Sequence, residues 1–387
     1  MNKTKSVIFI SLSFCFFLVL SLFFFLTSEN VYAETIVVKM IIEGKEYEER
    51  VNVEYPARGV VDDYGSFEAY AESLLGKVEK ERIFNYLDEG FGTRFFHILS
   101  DLETPPVNAK LEVNDKKPYF RYKKGVNGFV FGEKEAVVAL GEALDGKVPT
   151  LSLKETPPEI TVKTLKEKTR LKSRFSTSIA TSSIDRAHNV ALALSSINGV
   201  ILAPYERFSF NEKVGERSEK RGYRNAKVIS SGEYVDGIGG GVCQAATTLY
   251  VAALKAGMTV NKASHHTYRP SYVPPSFDAM VSSYSDLVFT NDDETTYLFA
   301  GREGDIVYVE FYGEEKEKIV LKNEIIEEYP HEVVYENCAP ENDEVEKVKS
   351  GIDGVKSRLY LLKNGRKILL RENVYKSHPE IYAKKQE

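Results

Sequence analysis

A cysteine that directly follows a glycine cluster is the residue of this sequence best placed to act as a nucleophile. Cys243 comes after a Gly-Ile-Gly-Gly-Gly-Val segment and opens a run with the pattern of a helix. The first turn of a helix presents unpaired N–H groups and the positive end of the helix dipole, which lower the pKa of a thiol placed there. The same N–H groups can bind the oxyanion of a tetrahedral intermediate. We therefore predict that Cys243 is a nucleophile, that Gly239, Gly240 and Gly241 shape an oxyanion or substrate-binding loop, and that the Gln244 amide is a secondary donor.

Two adjacent histidines follow the predicted helix and are candidate bases for this thiol. His265 and His266 lie in an Ala-Ser-His-His-Thr-Tyr-Arg segment, and either imidazole can pair with Cys243 if the chain folds back. A metal site is a rival interpretation of one cysteine and two histidines. Adjacent histidines rarely chelate one ion and no second cysteine lies at ligand spacing, so we predict neither a metal nor a cofactor. A third interpretation is that Cys243 only fills a tight turn between a loop and a helix.

Composition indicates a folded chain that does not bind nucleic acid. The 387 residues leave room for two or three domains, and 43% of them are hydrophobic and 28% charged, as in globular proteins. A net charge of −6 argues against nucleic acid, because phosphate binding needs clustered Lys and Arg. The three cysteines, Cys15, Cys243 and Cys338, are too few for a disulfide framework, and we predict no bridge between Cys243 and Cys338.

Residues 1–33 have the pattern of a targeting segment. Lys3 and Lys5 precede an apolar run from 7 to 26, and small residues follow at the two positions that a signal peptidase reads. The apolar run is also just long enough to span a bilayer. We therefore predict a signal peptide or an N-terminal anchor in the cytoplasmic membrane. The body of the protein is then extracytoplasmic, either secreted to the cell wall or held on the outer face of that membrane.

Periodicity predicts an α+β fold with a β-rich C-terminal segment. Apolar residues at i, i+3, i+4, i+7 and i+8 predict a helix from Cys243 to Ala256 that ends at Gly257. The stretch 163–177 reads as a charged connector. Further helices are predicted at 66–75, 79–87, 133–144 and 184–197, and strands at 35–42, 46–53, 109–113, 119–122, 306–311, 332–335, 357–362 and 367–373.

The motifs around Cys243 resemble those of the VanW family of bacterial cell-envelope proteins. They keep one order between residues 208 and 286, which makes the resemblance specific. The matching segments are 208–215 (FSFNEKVG), 221–223 (RGY), 232–235 (GEYV), 237–244 (GIGGGVCQ), 247–250 (TTLY), His266, 271–275 (SYVPP) and 278–279 (DA).

The resemblance implies roles for individual residues. Some VanW-domain proteins are L,D-transpeptidases that use this cysteine, which implies Cys243 as the nucleophile. Counting back from the 271–275 motif places His266 on the more regular family histidine, with His265 and Asp278 as secondary site residues. The chain departs from the family in having its two histidines adjacent and in having Phe277 in place of a glycine.

The resemblance also implies an organisation and a function. The expected modules are the targeting segment 1–33, a peptidoglycan-binding α+β module over 34–162, a VanW-like domain over 170–304 and a β-rich extension over 305–387. The expected function is a cell-wall enzyme that joins peptidoglycan stem peptides by 3–3 cross-links through a cysteine acyl-enzyme. The alternative is a non-catalytic peptidoglycan-binding or scaffolding protein of the cell envelope.

Overall fold

The computed structural model describes most of the chain as two compact units. The described residues are 32–55, 98–144, 146–230, 233–337 and 345–384. One unit is formed from 1–108 and 125–159, and the other from 109–124 and 160–387. The predicted helices at 66–75 and 79–87, and the predicted targeting segment apart from its last residues, lie outside the described residues. Within the described ranges no helix has both the length and the apolar character needed to cross a membrane.

In its described residues, the first unit contains a hairpin against which a helix packs. Strands β1 (Tyr32–Ile42) and β2 (Lys45–Tyr55) pair antiparallel, as the sequence predicts. Helix α1 (Glu133–Leu144) has the predicted bounds and packs on β1, with its alanines at 136, 139 and 143 buried. The short strands of this unit are β5 (Gly128–Val130), β6 (Thr150–Leu151) and β7 (Lys154–Thr156).

A four-stranded antiparallel sheet is the frame of the second unit. Its strand order is β8-β16-β15-β9. The first and the last of these strands in the chain are neighbours in the sheet, although more than a hundred residues separate them in the sequence. The sheet therefore brings the two ends of this segment together. The bounds are β8 Arg170–Ser178, β9 Val200–Leu202, β15 Thr296–Glu303 and β16 Ile306–Gly313.

Two helices cover this sheet and form the core with it. Helix α3 (Ile184–Ser195) begins where Ser183 Oγ accepts the Arg186 N–H at 3.2 Å. Helix α5 (Val242–Ala256) packs on α3, β8 and β16 and confirms the helix predicted from Cys243 to Ala256. Its alanines have small side chains, which let the helix approach its neighbours closely, and most of its residues are buried.

The predicted connector at 163–177 is wrong, because that stretch holds helix α2 (Val162–Glu167) and strand β8. The two buried positions of β8 are Ser173 and Thr177, with Phe175 partly buried between them. Ser173 Oγ donates to the Ala252 carbonyl at 2.7 Å, and the hydroxyls of Thr177 and Thr248 lie 2.9 Å apart. Serine and threonine that alternate with lysine and arginine are typical of a linker, which is why the sequence predicts one here. In the structure the hydroxyls of Ser173 and Thr177 are buried because groups of α5 satisfy their hydrogen bonds.

The second unit also contains several short elements that complete the surroundings of α5. The hairpin β3–β4 comes from residues 109–124, and strands β10, β14 and β13 form a small sheet beside α5. The bounds are β3 Lys110–Val113, β4 Phe120–Lys123, β10 Arg207–Ser209, α4 Phe210–Val214, β11 Asn225–Ser230, β12 Glu233–Ile238, β13 Thr259–Lys262 and β14 Val288–Thr290.

The C-terminal segment is all strand where it is described, as predicted. It forms one sheet of order β17-β20-β21 and another of order β18-β22-β19. Leu359 of this segment is fully buried in the main core, and β16 belongs to the central sheet. The bounds are β17 Val320–Tyr329, β18 Val333–Asn337, β19 Glu346–Lys349, β20 Gly354–Lys363, β21 Arg366–Tyr375 and β22 Glu380–Lys384.

Candidate active site

Cys243 lies in the first turn of α5, where the glycine loop ends. Gly241 is the N-cap of the helix and has a left-handed φ of +105°, which a residue with a Cβ rarely adopts. The N–H of Val242 donates to the Gly239 carbonyl at 3.2 Å, and that of Gln244 to the Gly241 carbonyl at 2.8 Å. Between them, the Cys243 N–H has no acceptor among the described residues. This N–H is therefore available to an oxyanion.

The Cys243 thiol is half-buried and contacts one backbone segment and one imidazole. Its Sγ lies 3.4 Å from the Val281 carbonyl and 3.5 Å from the Val281 nitrogen. The side chain of His266 also interacts with the thiol and lowers its pKa. Among the described residues Cys243 is the only cysteine and it is free, while Cys338 and the predicted absence of a bridge to it lie outside the described residues.

His266 is held by a buried carboxylate. Asp278 is 0% exposed and its Oδ2 accepts both the His266 N–H, at 2.8 Å, and the His266 Nδ1–H, at 2.6 Å. With Nδ1 bonded to the carboxylate, Nε2 is the ring nitrogen left for the thiol. Cys243, His266 and Asp278 thus form a thiol–imidazole–carboxylate triad, in which the carboxylate fixes the orientation of the ring.

The pKa values of Cys243 and His266 favour a charged pair. Burial alone raises the pKa of the Cys243 thiol, but the hydrogen bond and charge of His266 outweigh it and leave that pKa below its usual value. Burial lowers the pKa of His266, but the hydrogen bonds with Asp278 and Cys243 outweigh it and raise that pKa to about 9. The same contacts hold the pKa of Asp278 below its usual value. Both shifts favour a thiolate–imidazolium pair over a neutral thiol and imidazole, whereas the sequence predicts a neutral imidazole that takes the thiol proton.

Strand β21, which the sequence predicts as a strand but not as part of the site, supplies two further partners of Asp278. The Tyr375 hydroxyl donates to Asp278 Oδ1 at 2.5 Å. Arg371 Nη2 donates to the Asp278 carbonyl at 2.5 Å and lies 3.4 Å from Oδ1. Both residues follow Asp278 by more than ninety positions in a segment with a plain strand pattern. Nothing in the local sequence marks them as site residues.

Arg217 is a third site residue that the sequence did not reveal. Its side chain lies beside Gly239, where an added Cβ would come within 2.9 Å of the Arg217 Cβ, and its Nη2 donates to Asn211 Oδ1 at 2.5 Å. Burial lowers the pKa of Arg217, and its positive charge contributes to the lowered pKa of Cys243. Arg217 therefore places a cation near the thiolate.

The glycine loop and Gln244 are used differently from the prediction. A Cβ at Gly240 would lie 2.6 Å from the Lys227 carbonyl oxygen, and one at Gly241 would lie 2.9 Å from the Arg186 side chain, so these glycines allow close packing against the protein itself.

The Gln244 side chain, expected to be a donor at the site, is buried. Its amide donates to Thr177 Oγ1 at 3.0 Å and to the Ser178 carbonyl at 2.8 Å, and its oxygen accepts from Arg186 Nη1 at 2.7 Å. With its polar atoms satisfied by β8 and α3, the Gln244 side chain is structural.

His265 has a different environment from His266. Its Nδ1 lies 2.8 Å from the His266 carbonyl oxygen, and its ring meets the Tyr375 ring edge-on at 5.4 Å between centroids. Of the two adjacent histidines, only His266 contacts both Cys243 and Asp278. The structure therefore brings together Cys243, His266 and Asp278, and it places His265 next to this group.

Comparison with known proteins assigns the same segment to one family. Residues 185–312 match the family model described as VanW like protein, so this part of the chain is a VanW-like domain and the resemblance is confirmed. The chain is 36% identical over 141 residues to the uncharacterized protein YoaR of Bacillus subtilis, covering 36% of this chain and 46% of that protein. It is 29% identical over 119 residues to the vancomycin B-type resistance protein VanW of Enterococcus faecalis, covering 29% of this chain and 43% of that protein. The chain thus spans less than half the length of these curated relatives.

The matched segment does not contain the whole site. It includes the triad and Arg217, whereas Arg371 and Tyr375 lie beyond its end at 312. Strand β8, at 170–178, lies before its beginning and supplies the partners of Gln244.

Proposed function

We propose that this protein is a cell-wall enzyme, an L,D-transpeptidase that acts on peptidoglycan stem peptides through Cys243. The observation that carries the proposal is the triad at the start of α5, in which a thiol of lowered pKa is joined to a histidine held by a buried carboxylate. The VanW-like domain supports a cell-wall-associated function. A structural cysteine would need none of these contacts, since thiols that only fill space are inert and have raised pKa values.

Acylation follows from the charged pair. The Cys243 thiolate attacks the carbonyl carbon of the third stem-peptide residue and forms a C–S bond. The free Cys243 N–H at the helix terminus donates to the oxyanion of the tetrahedral intermediate. The His266 imidazolium then gives its proton to the nitrogen of the terminal D-alanine, the C–N bond breaks and D-alanine leaves. The product is a thioester, which retains the energy of the broken peptide bond, so no cofactor is needed.

Deacylation uses the same groups in reverse. Neutral His266 takes a proton from the side-chain amine of a neighbouring stem as that amine attacks the thioester carbonyl. The C–S bond breaks, the thiolate returns, and a 3–3 cross-link has formed. Water as the acceptor would give an L,D-carboxypeptidase at the same site. The D-alanine carboxylate is an anion next to the scissile bond, and the positive charge of Arg217 near Cys243 suits such a substrate.

The alternative function is a non-catalytic peptidoglycan-binding or scaffolding protein, in which the glycine loop would hold a stem-peptide carboxylate at the helix N-terminus. The packing of Gly240 against β11 and of Gly241 against α3 counts against a loop shaped for a ligand. A binding protein also has no use for an imidazole that is hydrogen-bonded to a buried carboxylate and lowers the pKa of a thiol. The triad therefore favours the enzyme.

The test is product analysis on a defined substrate. Purified protein is incubated with a disaccharide-tetrapeptide, and the products are separated by liquid chromatography and identified by mass spectrometry. Released D-alanine with 3–3 dimers is expected for the transpeptidase, and released D-alanine with tripeptide for the carboxypeptidase. The Cys243→Ala variant is the matched control and should give neither. If the wild type binds the substrate and leaves it unchanged, the protein is the binding alternative.

A further inference from the structure

We propose that strand β21 positions the catalytic triad, with Arg371 and Tyr375 holding Asp278 so that its Oδ2 faces His266. The inference rests on the proposed function for its catalytic meaning, although the positioning can be measured on the thiol alone. It assigns a role at the site to a C-terminal segment outside the matched family domain.

The two carboxylate oxygens of Asp278 have separate partners. Oδ2 accepts both hydrogen bonds from His266, through its backbone N–H and its Nδ1–H. Oδ1 accepts the hydroxyl of Tyr375, with Arg371 Nη2 at 3.4 Å. Turning the carboxylate would break bonds on both sides, so β21 fixes the oxygen that orients the imidazole.

Tyr375 is itself held so that it must act as a donor. Its hydroxyl oxygen accepts the Ser276 N–H at 2.8 Å, and its side chain is 0% exposed, which leaves its proton for Asp278. Ser276 has a φ of +70°, an uncommon conformation for a residue with a side chain. Its carbonyl accepts from Arg371 Nε at 2.9 Å, and its hydroxyl lies 2.7 Å from that of Ser357 on β20. The β20–β21 hairpin thus secures the turn that leads into Asp278.

Arg371 adds a fixed positive charge beside the triad. Its guanidinium lies over the Tyr250 ring, 4.8 Å from the centroid, and its side chain is largely buried. The titratable and charged groups that face Asp278 come from three elements. They are Tyr250 on α5, His266 and Tyr272 on the segment before Asp278, and Arg371 and Tyr375 on β21, while Cys243 faces His266 and Arg217 faces Cys243. Arg371 is the permanent cation nearest the carboxylate side of the triad.

Removing the positive charge of Arg371 should shift the pKa values of His266 and Cys243 in the same direction. A nearby positive charge disfavours imidazolium and favours thiolate. Without the charge of Arg371, the pKa values of His266 and Cys243 should both rise, and the pH range in which the charged pair exists should move upward. A hairpin that only stabilised the fold would change the melting temperature and the amount of active protein, and it would leave this pH range where it is.

The experiment follows the alkylation rate of Cys243 by iodoacetamide from pH 5 to 10, with the modified peptide quantified by mass spectrometry. Arg371→Met should move the rise of the rate to higher pH by about one unit. Arg371→Lys keeps the charge and should lie between Arg371→Met and wild type. Arg358→Met is the matched control on the same hairpin, because Arg358 forms an exposed ion pair with Glu372, and it should leave the profile unchanged.

A second variant keeps the inference testable if Arg371→Met does not fold. Tyr375→Phe preserves the ring and removes the donor to Asp278, and it should lower the alkylation rate at pH 7 about threefold or more. Wild-type profiles in both Arg371→Met and Tyr375→Phe would overturn the inference. Because alkylation needs no substrate, a shifted profile in a protein that releases no D-alanine would support the positioning role and reject the proposed function.

Discussion

The charge state of Cys243 depends on the residues that bury it. A buried thiol alone would stay neutral, but the Cys243 side chain faces an imidazole whose other nitrogen is bonded to Asp278. The carboxylate stabilises the imidazolium, and the imidazolium stabilises the thiolate. Because each charge depends on the next, loss of the carboxylate or of the imidazole should raise the pKa of the Cys243 thiol.

Turnover is expected to fall as the pH rises through about 9, where His266 loses its proton. The sign follows from the raised pKa of His266, since imidazolium is the acid that protonates the leaving D-alanine and is present only below that pKa. On the acid side, kcat/KM should rise with pH as the Cys243 thiol ionises, and because its pKa is lowered this rise should occur below the pH range in which ordinary thiols ionise. The measurement is kcat/KM for D-alanine release from pH 5 to 10. An alkaline limb near pH 7 would show instead that His266 has an ordinary pKa.

His266→Ala should slow Cys243 alkylation at pH 7 by about tenfold or more, because the thiol then loses the partner that lowers its pKa. Its rate should approach that of an ordinary thiol and rise only as the pH nears 9. His265→Ala is the matched control, since His265 contacts the His266 carbonyl and not the thiol, and it should have a mild effect. Reversed outcomes for the two variants would make His265 the partner of Cys243.

Cys243→Ala should abolish D-alanine release and change the free energy of unfolding by about 1 kcal/mol or less, because the side chain is small and half-buried. Circular dichroism and urea unfolding would check the fold, and the product assay would check the activity. Undiminished release by this variant would rule out Cys243 as the nucleophile.

At the scale of elements, the sequence predicts those parts of the site whose signals are local. Helix α5 has an apolar face of period 3.6 and glycines at both ends, so its bounds and the position of Cys243 in its first turn could be predicted. Strand β8 could not be predicted, because serine and threonine take the buried positions where a strand pattern needs apolar residues. The pairing of β21 with Asp278 depends on contacts between distant residues, which no local pattern encodes.

Gly240→Ala should destabilise the second unit by about 2–3 kcal/mol, because the new methyl group would lie 2.6 Å from the Lys227 carbonyl oxygen and 2.7 Å from that of Ala226. Gly304→Ala is the matched control. Gly304 has a φ of +59° and open space around it, so only conformational strain of about 1 kcal/mol is expected there. Urea unfolding measures both variants. An equal or smaller cost at Gly240 would mean that the loop can move away from β11, as a ligand-binding loop would.

At the scale of the whole molecule, the unit that contains Cys243 is assembled from segments that lie on both sides of the family domain. Strand β8 comes before the match at 185–312, the β20–β21 hairpin comes after it, and residues 109–124 join the same unit from far upstream. Sequence reasoning placed the last of these segments in the 34–162 module, because composition and spacing follow chain order. The structure groups them by contact instead.

Tyr119→Ala tests that grouping, because Tyr119 belongs to the predicted first module and packs in the second unit. Its side chain is 6% exposed, its ring stacks on Phe299 with centroids 3.8 Å apart, and its hydroxyl lies 3.3 Å from that of Tyr308. The variant should lower the free energy of unfolding of the unit that contains Cys243 by about 3 kcal/mol. Tyr284→Ala, at a side chain that is 94% exposed in the same unit, should change it by about 0.5 kcal/mol or less.

Urea unfolding that is followed by the exposure of Cys243 to a thiol reagent reports on this unit alone. If Tyr119→Ala leaves that transition in place and shifts only a separate one, the hairpin of residues 109–124 folds with the first module, as chain order suggests. If the Cys243 transition moves to lower urea, the stability of this unit depends on a segment more than a hundred residues before Cys243. A domain cut out at the ends of the family match would then lack part of its core, as well as the strand that faces Asp278.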